Sequence, residues 1–237
     1  MKPAPKKSSA KSTASPAPLR RRVLVVDDHP FMRAGLAQLI NQQADLLVCG
    51  EAGNPAEAAH ELTRCSPDLV LTDITMPGRS GLEFIKDLHA ARPELALLVV
   101  SMHDEAIYAE RALRAGARGY IMKEAGGENL LAAIRQILRG EIYVSSAMSA
   151  RILENISARR PRGSSSPIEK LTDREFEVFQ LIGQGKSTRD IATQLHLSSK
   201  TVDVHRGNIK AKLELKDATA LVRHAVRWVE SQDKRTE

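Results

Sequence analysis

The sequence predicts a doubly wound α/β unit on a five-stranded parallel sheet, followed by a small all-α unit of four helices. Three observations predict this. Between Arg22 and Gly140, apolar runs of strand length alternate with segments of helical spacing, the pattern of a parallel sheet covered by helices on both faces. Four of those runs end in chemistry: Val23–His29 (VLVVDDH) on paired aspartates, Asp68–Asp73 (DLVLTD) on Asp73, Leu95–Met102 (LALLVVSM) at Ser101 and Gly119–Lys123 (GYIMK) on Lys123. Beyond residue 167 only helical spacing remains.

Residues 1–20 contain four prolines and much Ser and Ala but almost nothing to bury, and read as a disordered basic tail. Residues 21–140 form the α/β domain. After the first strand, Phe31, Leu36, Leu39 and Ile40 fall at helical spacing; Leu46–Ala52 reads as a short strand and Pro55–Arg64 as a helix with proline in its first turn. Strand Asp68–Asp73, helix Gly81–Ala91, strand Leu95–Met102, helix Glu105–Ala115, strand Gly119–Lys123 and helix Glu128–Arg139 complete five βα units. Their crossovers are expected to be right-handed.

Residues 141–167 read as a linker with a short amphipathic helix (Met148, Ile152, Leu153, Ile156) followed by RRPRGSSSP, which cannot hold a regular element. Residues 168–230 form the second domain. Thr172-Asp-Arg-Glu175 is a capping box that opens a helix bearing Phe176, Phe179 and Ile182. Ser187–Leu195, Ser199–Leu213 and about 217–229 are the remaining helices, with a tight turn at His196-Leu197-Ser198. Two short helices joined by a brief turn are a helix-turn-helix candidate. Residues 231–237 read as a second disordered tail.

The net charge of +6 is unevenly distributed: residues 1–22 have seven basic and no acidic side chains, 23–140 have 11 basic against 16 acidic, and 168–230 have 11 against nine. The basic balance is mostly the tail's, so charge alone argues weakly for nucleic acid. Cys49 and Cys65 lie outside any CxxC or His-rich spacing and read as reduced thiols. No apolar run approaches the ~18 residues of a membrane span, and the N-terminus lacks the apolar segment of a secretory signal. A soluble cytoplasmic protein with no membrane partner is expected.

Strand ends of an open α/β sheet meet in one crevice where the strand order reverses. Asp27, Asp28 and Asp73 would crowd three carboxylates there, an arrangement that calls for a divalent cation; few, hard oxygen ligands suit Mg²⁺. Lys123 adds a fixed positive charge and Ser101 a hydroxyl donor. A cation, an ammonium and a hydroxyl around one carboxylate form a receptacle for a transferring phosphoryl group, with Asp73 as nucleophile. An Mg²⁺-dependent phosphohydrolase is the competing reading from another class, but such chemistry wants an acid/base carboxylate two residues after the nucleophile, where this chain has Thr75.

The stretches VLVVDDHPFMRAGL, DLVLTDITMPGRSGLEFI and AGARGYIMKEA resemble the receiver domain of two-component response regulators, a flavodoxin-like fold. LTDREFEVFQLIGQGKSTRDIATQLHLSSKTVDVHRGNIKAKL resembles a LuxR-type helix-turn-helix, and together they resemble the NarL/FixJ family. The resemblance implies that Asp73 is the phosphoacceptor, that Asp28, Asp73 and the Thr75 carbonyl bind Mg²⁺, and that Asp27 acts on the metal through water. Lys123 and Ser101 would hold phosphoryl oxygens, and Tyr120 takes the family's aromatic switch position; a half-buried strand aromatic is the lesser alternative for it. Met76-Pro77 and Gly81 match the family's loop. The implied partners are a sensor histidine kinase, promoter DNA and a second copy of the chain on activation, with RNA polymerase a further candidate. The chain is expected to be a phosphoacceptor, not a turnover enzyme, and a phosphorylation-independent DNA binder with the receiver as dimer scaffold is the alternative.

On a helical wheel the third helix of the second domain turns Val202, His205, Ile209 and Leu213 inward and Lys200, Val204, Gly207, Asn208 and Ala211 outward. The outward face is small-featured, suited to close approach in a major groove, where Val204 could meet a thymine methyl. Lys210 and Lys212 flank it at positions suited to phosphates. Ser187 and Thr188 at the start of the second helix, Ser198 and Thr201 at the start of the third, and His205 complete the candidate DNA-contacting set. Arg206 reads either as a phosphate contact or as a packing residue. Leu221, Val222, Val226 and Trp228 of the last helix read either as a dimer contact, as the resemblance implies, or as core.

Overall fold

The computed structural model describes residues 20–76, 80–157 and 167–233. Of the expected tails at 1–20 and 231–237, residues 1–19 and 234–237 lie outside the described residues, as do Pro77 and most of the RRPRGSSSP segment, while 231–233, expected as tail, continue the last helix, which ends at Asp233.

Five strands, β1 (Arg21–Val26), β2 (Leu46–Ala52), β3 (Leu69–Thr72), β4 (Ala96–Ser101) and β5 (Gly119–Met122), form one sheet in the order β2-β1-β3-β4-β5. Every pairing is parallel. β3 and β4 are buried along their whole length, which is why they read as unbroken apolar runs rather than alternating ones. Leu24, Val26, Val70, Leu97 and Val99 face one core; Val23, Val25, Leu69, Leu71 and Leu98 face the other. Helices α2 (Pro55–Cys65), α3 (Gly81–Ala91) and α4 (Glu105–Ala115) cover the first face, and α1 (Pro30–Asn41) and α5 (Gly127–Leu138) the second. The strand order reverses between β1 and β3, so the crevice opens where both carry aspartates.

The expected linker is in part a continuation of the α/β unit. Tyr143 lies parallel to β5, donating its N–H to the Arg118 carbonyl and accepting from Tyr120 N–H, both at 3.0 Å. β5 is an edge strand whose ladder would otherwise stay open, and an extended Ile-Tyr-Val segment closes it. Helix α6 (Ser146–Ser157) follows, its entry held by Glu105 accepting from Ser145 N–H at 2.7 Å, and its Met148 is buried in the shared core.

The C-terminal unit contains α7 (Asp173–Gly183), α8 (Thr188–Gln194), α9 (Ser199–Lys212) and α10 (Ala218–Asp233). Its core, with Phe179, Ile191, Val202, Ile209, Leu221 and Ala225, is continuous with that under α3 and α4. All residues of α7 from Asp173 to Ile182 are buried, including five with polar side chains. The helix is covered on one side by the sheet unit and on the other by α9 and α10. Leu221 is core and Trp228 packs edge-on against Phe176 and Phe179, which favours the packing reading for those two α10 residues.

Candidate functional site

Asp27 follows β1, Asp73 follows β3 and Lys123 follows β5, so strand ends deliver all three into one crevice. The Lys123 ammonium stands 2.7 Å from Asp27 Oδ2 and 2.7 Å from Asp73 Oδ2, and all three side chains are nearly inaccessible. Burial pushes the Asp73 carboxyl up, against the lowering by Lys123; burial alone would lower the Lys123 ammonium, but Asp73 and Asp27 outweigh it and hold it above the usual lysine range. Asp73 Oδ1 accepts from the backbone N–H groups of Ile74 and Thr75 at 2.6 and 3.2 Å. The loop that follows is clamped onto α3: a Cβ on Gly81 would lie 2.4 Å from Ile74 Cα, so this approach needs glycine.

The donor set fits a divalent cation. Ligand atoms of Asp27, Asp28, His29 and Asp73 lie within 4.8 Å of one another. Asp28 Oδ1 is buried and accepts no hydrogen bond, although the His29 ring nitrogen stands 2.8 Å from it. An orphaned buried carboxylate oxygen beside two further carboxylates is what a hard cation relieves. His29 is an addition to the expected set; its place directly after the paired aspartates is the only sequence signal for it.

Ser101 is fully buried, and its Oγ accepts from His103 N–H at 3.2 Å. Tyr120 is fully buried and points inward, its hydroxyl donating to the His103 carbonyl at 2.8 Å. Thr75 shares a 2.7 Å hydrogen bond between its hydroxyl and His103 Nε2. His103 thus ties together the three positions around Asp73. The sequence offered no periodic or motif signal for that role.

From His103 the contacts run to the second unit. Its ring lies 4.8 Å from Tyr108, and Tyr108 meets Phe176 of α7 edge-on at 5.6 Å. The Tyr108 hydroxyl donates to Gln180, the Ser80 hydroxyl to Glu177 at 2.8 Å, and Lys86 and Arg111 both pair with Asp173. Arg111 also stacks over the Phe176 ring at 3.8 Å and donates to the Ile168 and Leu171 carbonyls. Ser80 stands at the N-cap position of α3, with its hydroxyl turned to Glu177 rather than to the helix. At the crevice mouth His196 Nε2, in the turn before α9, stands 4.0 Å from Asp28; its backbone is left-handed, with φ 53°.

Of the candidate DNA contacts, Lys200, Val204 and Asn208 are exposed on α9. Ser187 and Ser198 are N-caps, each accepting from a backbone N–H three residues on, and Thr201 shares a 2.8 Å hydroxyl contact with Ser198. Three places in the candidate set already have partners or cover within the domain. Lys212 is paired with Glu175 of α7 at 2.6 Å, because α9 packs that flank against α7. His205 is half-buried with Nδ1 enclosed and unpartnered, so it stands in the inward stripe. Arg206 donates to the Thr188 hydroxyl at 3.2 Å, a packing contact between α8 and α9 that occupies both side chains. Lys210 is half-buried on the other flank.

Comparison with known proteins agrees with this geometry. Residues 23–135 match the response regulator receiver domain, and residues 169–225 match the bacterial regulatory proteins of the luxR family. The chain is 33% identical over 210 residues to the oxygen regulatory protein NreC of Staphylococcus haemolyticus, spanning 87% of this chain and 97% of that protein. It is 35% identical over 210 residues, with the same coverage, to NreC of Staphylococcus aureus. Among solved structures, RcsB of Salmonella enterica serovar Typhimurium, bound to promoter rprA with phosphomimetic BeF₃⁻, superposes with a TM-score of 0.58 at 25% identity, covering 87% of this chain and 98% of that one.

Proposed function

This chain belongs to the two-component response regulators of the NarL/FixJ kind, with a receiver domain and a LuxR-type DNA-binding domain, and from that premise we propose how its own residues work. Asp73 takes a phosphoryl group from a sensor histidine kinase, and the chain then regulates transcription as a dimer on promoter DNA. The observation that supports this most directly is the buried Lys123 ammonium held 2.7 Å from both Asp27 and Asp73. It pre-places a positive charge where phosphoryl oxygens arrive.

The Asp73 carboxylate attacks phosphorus, and the kinase imidazole leaves. Lys123 neutralises one phosphoryl oxygen and Ser101 donates its hydroxyl to another. Asp28, Asp73, the Thr75 carbonyl and Asp27 would hold Mg²⁺, which when bound would supply the remaining positive charge. His29 is placed to share the outer contacts of that site. The chain acts as phosphoacceptor, in the cytoplasm, and does not turn over a substrate.

Ser101 and Thr75 each bond to His103, and Tyr120 bonds to its carbonyl. A phosphoryl group that recruits the Ser101 hydroxyl therefore acts on His103, and through the Tyr108 ring on α7. The exposed α9 face, with Lys200, Val204 and Asn208 already open to solvent while α7 is docked, favours a switch that controls pairing of two DNA-binding units rather than shielding of the reading face. Residues 21–140 are the receiver and 168–230 the DNA-binding unit in this reading.

The test is intact mass, oligomeric state and promoter affinity with Mg²⁺, before and after acetyl phosphate, beside Asp73→Asn. A gain of about 80 Da lost in the variant, with dimerisation and tighter DNA binding, is the expected result. Equal DNA affinity in all states would assign the chain to constitutive binding with the receiver as scaffold.

A further inference from the structure

Two cysteines stand outside everything described so far. Cys49 lies in the middle of β2 and is half-buried; Cys65 is the last residue of α2 and is buried. Their sulfurs are 2.8 Å apart, closer than two unbonded sulfur atoms ordinarily approach and about 0.8 Å from bonding distance. Residue 50 explains the approach. A Cβ on Gly50 would lie 2.4 Å from Glu61 Oε2, 3.2 Å from Leu24 and 3.3 Å from Cys65 Sγ, so α2 packs closely over that position and the bare glycine leaves the Cys65 sulfur room. Arg64, paired with Glu61, donates to the Cys49 carbonyl at 3.1 Å and ties α2 to β2 beside the pair.

We propose that Cys49 and Cys65 are a peroxide-reactive dithiol that closes to a reversible disulfide, with Cys49 the attacking and Cys65 the resolving sulfur. Their unequal exposure sets the order. Cys49 is partly open to solvent, whereas Cys65 is buried, and burial and the Cys49 neighbour push its thiol up to about 12. The Cys49 thiolate attacks one oxygen of hydrogen peroxide; the O–O bond breaks, and the leaving hydroxide takes a proton to become water. Cys49 is then a sulfenic acid. Cys65 sulfur attacks Cys49 Sγ, the S–O bond breaks, and the departing hydroxide leaves as a second water with the Cys65 proton. Two thiols and one peroxide thus become one disulfide and two waters, the sulfur pair giving up two electrons. A dithiol reductant reverses the reaction.

The bond would close a loop between residues 16 apart and staple edge strand β2 to α2. β2 sits at the opposite edge of the sheet from β5, and Asp73 takes no part, so this inference stands whether or not the phosphoryl reading holds.

The test uses the reduced full chain treated with hydrogen peroxide. Trypsin cuts after Arg64, so the two cysteines fall in separate peptides. The expected result is an intact mass lower by about 2 Da, a non-reducing digest in which those two peptides run joined, and recovery with dithiothreitol. Asp73→Asn should oxidise identically. Cys65→Ser should stop at the sulfenic acid, about 16 Da heavier and trapped by dimedone, while Cys49→Ser should leave Cys65 unmodified. Circular dichroism confirms that both variants fold; if Cys65→Ser does not, the wild-type digest decides alone. Two free thiols surviving in the wild type, or Cys49 passing to sulfinic acid with no joined peptides, would overturn the proposal.

Discussion

The Tyr108 hydroxyl on α4 donates a hydrogen bond to Gln180 Oε1 on α7 at 2.5 Å, between two buried side chains of different units. The same ring contacts His103, whose Nε2 and carbonyl bond to Thr75 and Tyr120. Side chains beside the phosphoacceptor and the first helix of the DNA-binding unit are therefore two contacts apart. Tyr108→Phe should weaken the docking of α7 by about 1 kcal/mol, the net worth of a typical hydrogen bond. Faster amide hydrogen exchange across α7, with the sheet unit unaffected, is the expected readout.

Arg111 makes more of that junction than any other single side chain, combining stacking on Phe176, an ion pair with Asp173 and two backbone carbonyl bonds. Arg111→Ala removes the stacking and two carbonyl bonds and leaves Asp173 with Lys86 as its one cross-unit cation among the described residues, and should cost roughly 1–3 kcal/mol of docking. Small-angle scattering should then show an extended chain without phosphorylation. A scattering profile unchanged from wild type would refute the assignment of Arg111 as the principal tie.

Glu177 gives the junction a pH dependence. Burial pushes its carboxyl above the usual glutamate range, against the lowering by Arg174 and Ser80. A carboxyl with a raised docked-state pKa binds more protons docked than undocked, so docking strengthens as pH falls and is lost as pH rises through that raised value. The protection of α7 amides, measured relative to their intrinsic base-catalysed exchange at each pH, should fall from the ordinary glutamate range upward. Glu177→Gln, neutral throughout, should remove that trend.

Lys123 neutralises Asp27 and Asp73 directly. Lys123→Ala leaves buried like charges facing each other and should lower thermal stability in chelator. Millimolar Mg²⁺ should then raise the melting temperature of the variant more than that of the wild type, by ligand linkage. Equal Mg²⁺ shifts in both would argue that the acidic cluster is not where the cation binds.

The two lysines at the ends of α9 should separate on DNA. Lys200 is exposed, whereas Lys212 is paired with Glu175. Lys200→Ala should weaken promoter binding and reduce the salt slope by about 1. Lys212→Ala should leave that slope unchanged and instead destabilise the packing of α9 on α7.

Most elements were legible because each is specified locally. Strand runs such as DLVLTD, the Thr172 capping box and the apolar stripe of α9 lie within a few consecutive residues, and the predicted helix Glu105–Ala115 coincides with α4. The crevice was legible for a related reason: in a parallel sheet the carboxyl ends of strands converge, so Asp27, Asp73 and Lys123 had to meet. Tyr143 closing the β5 edge was not legible, because a short extended segment after a helix carries no periodicity of its own.

The sequence by itself determined the strand and helix order, the acidic crevice and the small outward face of α9, since period and strand polarity decide them. Only the tertiary structure decided that α7, with Asp173, Arg174, Glu175, Glu177 and Gln180 all buried, is docked against α3 and α4. Its partners lie far away in the chain, Ser80 97 residues from Glu177 and Tyr108 72 from Gln180. A polar helix reads as solvated until each of its groups finds a partner; Arg174 and Glu175 find theirs inside the C-terminal unit, but the cross-unit partners of Asp173, Glu177 and Gln180 exist only once the two units meet.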